Sequence, residues 1–329
     1  MKASDFFRRG AETPLHATVM TAGVHCRIRT NSSSILAAAQ SSFLSCPTSS
    51  ETPQISARLW IDNESRSQFP LPKPYVRGLD HLVFAAFDPS SSILVDLNKK
   101  HALGRFSRDL EFDSQFWKSI FFPIFMSVIG GSIGVAELHG SCVVKNKRGL
   151  FLLGSSHSGK STLATAFAFA GFEFLSDDRV YCAVRNGTLQ AWGIPNFLKL
   201  RPEAQSWFPE LKLAKTVNSL DGEPAVLLKP ELQSNIKSAQ HCEPAMLIFL
   251  DQQKSDCFDL SEASRSDVAQ WVDRELMAEP WSAIEEQRKV VDQLSRISCW
   301  HLHYGGNPAA IAARLTNHFE ALMGGARIC

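Results

Sequence analysis

The sequence predicts an α/β protein in which a smaller β-rich α+β segment precedes a larger α/β domain, and three observations carry that prediction. Residues 55–61 alternate apolar and polar side chains, the pattern of a half-buried strand. Residues 150–170 run from an apolar strand through a glycine- and serine-rich turn into helix-forming sequence. Residues 245–250 are continuously apolar, as suits the centre of a sheet covered on both faces. At ~150 residues per domain, the 329 residues make roughly two domains. The expected division is 1–115 for the β-rich domain, with substrate recognition as its expected role, and 116–329 for the α/β domain with its C-terminal helices.

Further elements follow in order. Residues 81–87 and 93–97 are additional strand candidates, and the Ser/Thr/Pro-rich stretches 45–53 and 65–74 read as surface loops of this β-rich part. Residues 119–136 form a long uncharged run. Pro123, Gly130, Gly131 and Gly134 interrupt it, so a buried core helix is expected rather than a membrane span. Residues 142–144 and 150–153 flank a polar turn at 145–149 and read as a hairpin. A helix is expected over 160–170, one strand over 173–184 and another over 245–250. Val290, Val291, Leu294 and Ile297 share one helical face, and Ile311, Leu315, Phe319 and Leu322 share another. Asn307 as N-cap, Pro308 at the first helical position and Gly324-Gly325 beyond the end bracket the last helix.

Composition excludes several classes. With 34 basic against 33 acidic residues, the chain lacks the charge excess of a nucleic-acid binder. With 44% hydrophobic residues it is not disordered. The eight cysteines, Cys26 to Cys329, contain no CxxC pair, which fits reduced thiols better than a zinc cluster or a disulfide framework. Charges among the first ten residues argue against an export signal, so a cytoplasmic protein with no membrane partner is expected. The sequence leaves room for a homo-oligomer.

One segment carries recognisable chemistry. Gly154-Ser155-Ser156-His157-Ser158-Gly159-Lys160-Ser161-Thr162 matches GxxxxGK(S/T), the loop that wraps phosphates with backbone N–H groups at a helix N-terminus. Glycine is required where the backbone approaches the anion closely or takes positive φ. Lys160 is expected to reach the β- and γ-phosphates, and the Ser161 hydroxyl to ligate Mg²⁺. All nine loop residues are nucleotide-binding candidates.

Magnesium needs a second anchor and a hydroxyl nucleophile needs a base. Asp177-Asp178 follows Lys160 by seventeen positions, the length of one helix and one turn, so the next strand returns both carboxylates towards the phosphates. Neighbours on a strand face opposite ways, hence separate tasks: Asp177 is assigned as base and Asp178 as metal ligand, with exchange of the two as the alternative. The reading requires the carboxylates within ~7 Å of the loop by metal–oxygen and hydrogen-bond lengths.

These segments, with Leu138-His139-Gly140 upstream and Gly171 to Val180 around the acidic pair, resemble the C-terminal catalytic domain of HPr kinase/phosphorylase and related serine kinases, including those that modify lasso-peptide precursors. The resemblance implies a phosphoenolpyruvate-carboxykinase-like P-loop kinase fold, ATP and Mg²⁺ as cofactors, and transfer of the γ-phosphoryl group to a serine. It also adds His139 to Asp177 and Lys160 as a catalytic candidate. Residues 193–203 depart from the stretch by which HPr kinases recognise their carrier protein and are similar to the proline-and-arginine stretch of the peptide kinases. The expected acceptor is therefore a serine of a peptide or protein, and no reverse phosphorylase reaction is implied. A small-molecule kinase of the free-serine type and a non-catalytic nucleotide-sensing module are the alternatives.

Other polar residues are read blandly. Arg201 is expected in a surface ion pair, with pairing to a phosphate or an acidic substrate as the alternative. His301 and His303 would share one face of a half-exposed strand. Lys215, Asp221 and Glu223 are expected in a solvated loop.

Overall fold

The structure, a computed structural model, describes residues 12–46, 52–194, 197–212, 214–218, 223–230, 235–276 and 281–324. Asp221, Pro195, Asn196, Gly325 and Cys329 lie outside the described residues, as does part of the 45–53 loop. Two compact units divide the chain between Ile133 and Gly134.

The first unit is built from β1 (Leu15–Thr21), β2 (Val24–Thr30), α1 (Ser33–Ser42), β3 (Leu44–Ser45), β4 (Ile55–Asp62), β5 (Tyr75–Leu79), β6 (Leu82–Asp88), β7 (Ser91–Asp96) and β8 (His101–Ser107). A π-helical turn, Phe116–Phe121, then leads into α2 (Phe122–Gly130). Among the described residues the strands form one sheet in the order β3-β1-β2-β4-β8-β7-β6-β5, parallel at β2–β4 and β4–β8. The alternation in residues 55–61 works as expected: Ile55, Ala57, Leu59 and Ile61 are buried and the residues between them are half-buried.

The apolar run after residue 115 is spent inside this unit. Phe121 packs on Phe106 at 5.0 Å between ring centroids and on Phe87 at 5.8 Å, and Trp117 meets Phe106 at 4.8 Å. The indole N–H of Trp117 donates to Leu110 O at 2.8 Å, which satisfies its one polar atom. Residues Phe116–Ile133 are the one helical stretch among the described residues long and apolar enough to cross a membrane, and Phe121, Phe122, Phe125, Met126 and Ile129 within it are buried. Two expectations are thereby corrected. The division falls eighteen residues later than 115/116, because these aromatic rings complete the first unit's core. The helix also stops short of residue 136: Gly134 takes φ +70° and a strand begins at Val135.

The second unit comprises β9 (Val135–Lys145), β10 (Arg148–Leu153), α3 (Lys160–Phe169), β11 (Glu173–Ser176), β12 (Arg179–Arg185), β13 (Thr188–Trp192), β14 (Leu198–Leu200), β15 (Thr216–Asn218), β16 (Pro224–Leu228), β17 (His241–Gln252), β18 (Cys257–Glu262), α4 (Arg265–Leu276), α5 (Trp281–Leu294), β19 (Ser298–Gly305) and α6 (Pro308–Met323). The predicted hairpin is β9–β10, turning at Asn146 and Lys147 with positive φ at both. The main sheet runs β10-β9-β12-β13-β17-β19-β18, and β10 also pairs with β17, so five strands close on themselves. The β10–β17 and β17–β19 pairs are parallel.

Burial on both faces explains the continuous apolar strands. Leu150 and Leu152 of β10 join Met246 and Ile248 of β17 in the core with α3 and α6, while Phe151, Leu153 and Leu247 face Val268, Val290 and Leu294 of α4 and α5. The last helix starts as predicted: Asn307 Oδ1 accepts from Ala309 N at 2.8 Å, with Pro308 at the first position. The expected strand over 173–184 is a correction. It is two strands, both paired with β9 and broken at Asp177-Asp178, because Asp178 takes φ +68° and cannot continue a pleat. The result is a mixed α/β architecture with several sheets.

Candidate functional site

The glycine loop closes between β10 and α3 because nothing larger than glycine fits at its two ends. At Gly154, φ +145°, a Cβ would come 2.7 Å from Ser158 Oγ and 2.9 Å from Leu250 O. At Gly159, φ +87°, it would lie 2.0 Å from the Tyr304 hydroxyl. His157 also holds a left-handed φ, +70°. Ser158 N donates to Ser155 O at 3.2 Å, and the Tyr304 hydroxyl donates to Ser158 O at 2.8 Å, tying the loop to the end of β19. No side chain caps α3, so its first-turn N–H groups keep the anion-attracting character of a helix start. Within the loop, Ser158 Oγ is buried without a hydrogen-bond partner. Lys160 is nearly buried and its ammonium donates to Gly154 O at 2.8 Å and Ser155 O at 2.9 Å, bridging the loop's entry.

The acidic pair meets the loop. Asp177 Oδ1 accepts from the Ser161 hydroxyl at 3.0 Å and from the Ser141 hydroxyl at 2.5 Å, and Oδ2 accepts from Lys199 N at 3.4 Å. Burial, with Asp178 beside it, pushes the Asp177 carboxyl up to about 6, against three donors that pull it down. Asp178 is exposed, and its carbonyl accepts from Gly140 N at 3.2 Å and from His139 Nδ1 at 3.1 Å. That contact puts the His139 proton on Nδ1 and leaves Nε2 as an acceptor in the neutral ring. The tight turn is completed by Arg179 N on Asp177 O at 2.9 Å and the Ser176 hydroxyl on Arg179 O at 2.6 Å.

These groups border one cavity of about 530 Å³. Ser156, His157, Gly159, Lys160, Ser161 and Thr162 line one wall, with His139 and Asp178 alongside. Gly154, Ser155 and Ser158 contribute the loop's internal bonds instead. Asp177 does not line the cavity; it stands behind Ser161. The two aspartates thus divide differently from the sequence expectation: Asp177 is the one that reaches the Ser161 hydroxyl, and Asp178 is the one that faces open space. Their separation comes from the broken turn, not from strand alternation.

Arg201 is not in the surface ion pair expected of it. Its guanidinium donates to the His157 ring, at Nδ1 and with Nε2 at 3.0 Å, and it borders the same cavity as Lys199, Glu203 and Trp207. Glu223 also reaches the cavity. His301 and His303 stay outside it, each beside a carboxylate: Asp267 at 3.4 Å and Asp251 at 2.7 Å. Among the described residues no group of three or more His, Cys, Asp or Glu side chains is arranged to hold a metal ion. The seven described cysteines are free.

Sequence reasoning missed Ser141, Tyr304 and Trp207. Ser141 stands two positions after His139 on β9, so the register of β9 with the following strands is what delivers it to Asp177. Tyr304 lies far along the chain from the loop it supports, and nothing local marks it.

No family model matches this chain, and no curated protein matches it. Among solved structures the chain is similar to that of the Hpr(Ser) kinase/phosphatase from Coxiella burnetii, at a TM-score of 0.32 and 14% identity, covering 57% of this chain and 93% of that one. A likeness at that level carries no functional inference.

Proposed function

We propose that the second unit binds ATP with Mg²⁺ and transfers the γ-phosphoryl group to a serine hydroxyl of a peptide or protein. The observation that carries the reading is the meeting of the phosphate loop with the acidic pair: the Ser161 hydroxyl lies 3.0 Å from Asp177, and Asp178 borders the same cavity as Lys160.

The residues fit a nucleotide and a hard cation. The loop is a cradle that a Cβ at Gly154 or Gly159 would fill, and it holds an orphaned hydroxyl, Ser158 Oγ. Ser161 offers the cavity a hydroxyl oxygen, the chemistry Mg²⁺ prefers, and Asp177 accepts that hydroxyl's hydrogen bond from behind, so the cation would be held by Ser161 with Asp177 supporting it. When bound there, the cation would draw charge from the β- and γ-phosphate oxygens. Ser161 and Asp177 are therefore assigned to the cation, and Asp178 to the acceptor, exchanging the roles expected from sequence.

The chain's own groups then divide the work. The α3 N-terminus and Lys160 bind and orient the phosphates. Asp178, held by its turn and by His139, accepts the seryl proton as the oxygen attacks the γ-phosphorus and the bond to the leaving diphosphate breaks. Arg201, which borders the cavity and is held by His157, supplies positive charge to the transferred group. Trp207, 44% exposed at the cavity wall, supports a peptide acceptor over a small molecule, since it offers an aromatic surface beyond the reacting atoms.

Transfer from γ-labelled ATP to candidate peptides, with free serine in parallel, tests the reading. Lys160→Ala is expected to abolish transfer. Asp178→Asn is expected to retain nucleotide binding and lose ~10²–10⁴-fold in transfer, the range of a general base. Parent-rate transfer by Asp178→Asn overturns the base assignment; free serine as the better acceptor replaces the peptide reading; ATP binding with no transfer to any acceptor supports a nucleotide sensor.

A further inference from the structure

The outer face of the first unit's sheet combines apolar and basic side chains in a way its core does not need. The register aligns Arg77, Phe84, Leu94, Leu103, Arg58 and Arg29 in a single row across β5, β6, β7, β8, β4 and β2. Residues paired in register project from the same side. Their strand neighbours Val83, Ala85, Ile93, Val95 and Ala102 are buried, so the row faces away from the core. Phe84 and Leu94 are each 43% exposed and Leu103 39%. The carboxylates on this face are matched already, Asp62 by Arg105 and Asp96 by Lys99. The row thus sets exposed apolar side chains beside Arg77 at its end, on a chain whose overall charge is only +1.

Among the described residues the row ends at an edge with no further strand paired to it. β5 closes the sheet order and pairs with β6, and all five of its residues are exposed, Leu79 to 79% and Tyr75 to 52%. An edge of this kind presents backbone N–H and C=O groups to a further strand, and natural edges usually blunt that with charge, proline or a covering loop. Here Tyr75 and Leu79 flank Arg77 on the outer side, and Val76, 40% exposed, sits at the border of the core on the inner side.

We propose that β5 is a docking edge for an extended segment of a partner protein, which adds to the eight-stranded sheet and places an acidic side chain, flanked at two-residue spacing by apolar ones, against Tyr75, Arg77 and Leu79. Backbone pairing supplies the affinity, and the alternate side chains supply the choice of partner. Charge complementarity selects the acid, since Arg77 is the charged group on this strand. The inference stands independently of the phosphoryl-transfer reading.

The test uses the full chain and a fluorescein-labelled peptide, Ser-Leu-Val-Glu-Thr-Leu-Ser, with a Glu→Lys peptide as comparison. Binding by fluorescence polarisation is expected to favour the acidic peptide by about tenfold or more, and Arg77→Glu is expected to invert the preference. Hydrogen exchange at the amides of Tyr75–Leu79 is expected to slow when the peptide binds. Arg29 lies five strands from β5 in the same row, roughly 24 Å away at the usual strand spacing, beyond a short peptide paired at the edge. Arg29→Glu is therefore expected to leave peptide affinity unchanged. Equal losses from Arg29→Glu and Arg77→Glu, unchanged exchange along β5, or no preference for the acidic peptide each overturn the proposal. So does displacement of the peptide by anionic phospholipid vesicles through a process equally sensitive to Arg29, which would make the face a membrane surface. Circular dichroism of both variants, matching the parent, separates loss of binding from loss of fold.

Discussion

At Asp177, three hydrogen-bond donors compete with burial and with the charge of Asp178, and burial wins: the carboxyl is raised to about 6. A carboxyl raised on folding holds its proton more firmly in the folded state than in the unfolded one. The stability it contributes is thus fully present below the ordinary carboxylate range, and it is lost as the pH rises through about 6. Asp177→Asn is accordingly expected to raise the Tm of metal-free protein above the parent's at pH 8. The difference should shrink below about pH 4, where the parent is protonated in both states. Parallel Tm curves across that range would show that Asp177 carries no such penalty. The nine loop residues and the nearness of Asp177 to them were legible from spacing alone, since a glycine loop, one helix and one turn leave the chain few places to go. The division of labour between the aspartates was not, because it depends on a left-handed φ at Asp178 and on the Ser141 hydroxyl arriving from β9.

The glycine loop works as an element because its neighbours leave no slack. Gly159 sits so close to the Tyr304 hydroxyl that any side chain must displace one or the other. Gly159→Ala is expected to weaken binding of a non-hydrolysable ATP analogue. Tyr304→Phe in that background should recover part of the loss by removing the obstructing hydroxyl, while the cost of the positive φ remains. Strictly additive effects in that double-mutant cycle, measured by calorimetry, would mean that the contact does not set the loop's shape. Asn307→Ala removes the cap on α6 and is expected to lower stability by about 1 kcal/mol in urea denaturation. Helix α6 and the β9–β10 hairpin could be read from the sequence because caps, turn residues and periodicity are local. The break between β11 and β12 could not: residues 173–184 look like one strand until each half is paired along β9.

Across the whole molecule, the same kind of apolar sequence serves two ends. The aromatic rings of residues 116–125 fill the first unit, whereas the apolar strands β10 and β17 form the two-sided core that carries the glycine loop. Phe121→Ala, which removes a ring in contact with Phe87, Phe106 and Trp117, is expected to destabilise the first unit by ~3–5 kcal/mol. Nucleotide affinity, which the proposed function assigns to the second unit's loop, should stay at the parent value under native conditions. Hydrogen exchange resolved by unit would detect the first effect and titration with ATP the second; loss of nucleotide affinity would show that the loop depends on the first unit's core. The sequence by itself determined the α/β class, the glycine loop between strand and helix and the short path from that loop to a carboxylate, because all three follow from local periodicity, glycine geometry and chain length. Tertiary structure decided the boundary between the units, which aspartate touches Ser161, and the placement of Ser141, Arg201 and Tyr304 around the cavity. Those depend on strand register and side-chain packing between segments far apart in the chain, and no local pattern encodes them.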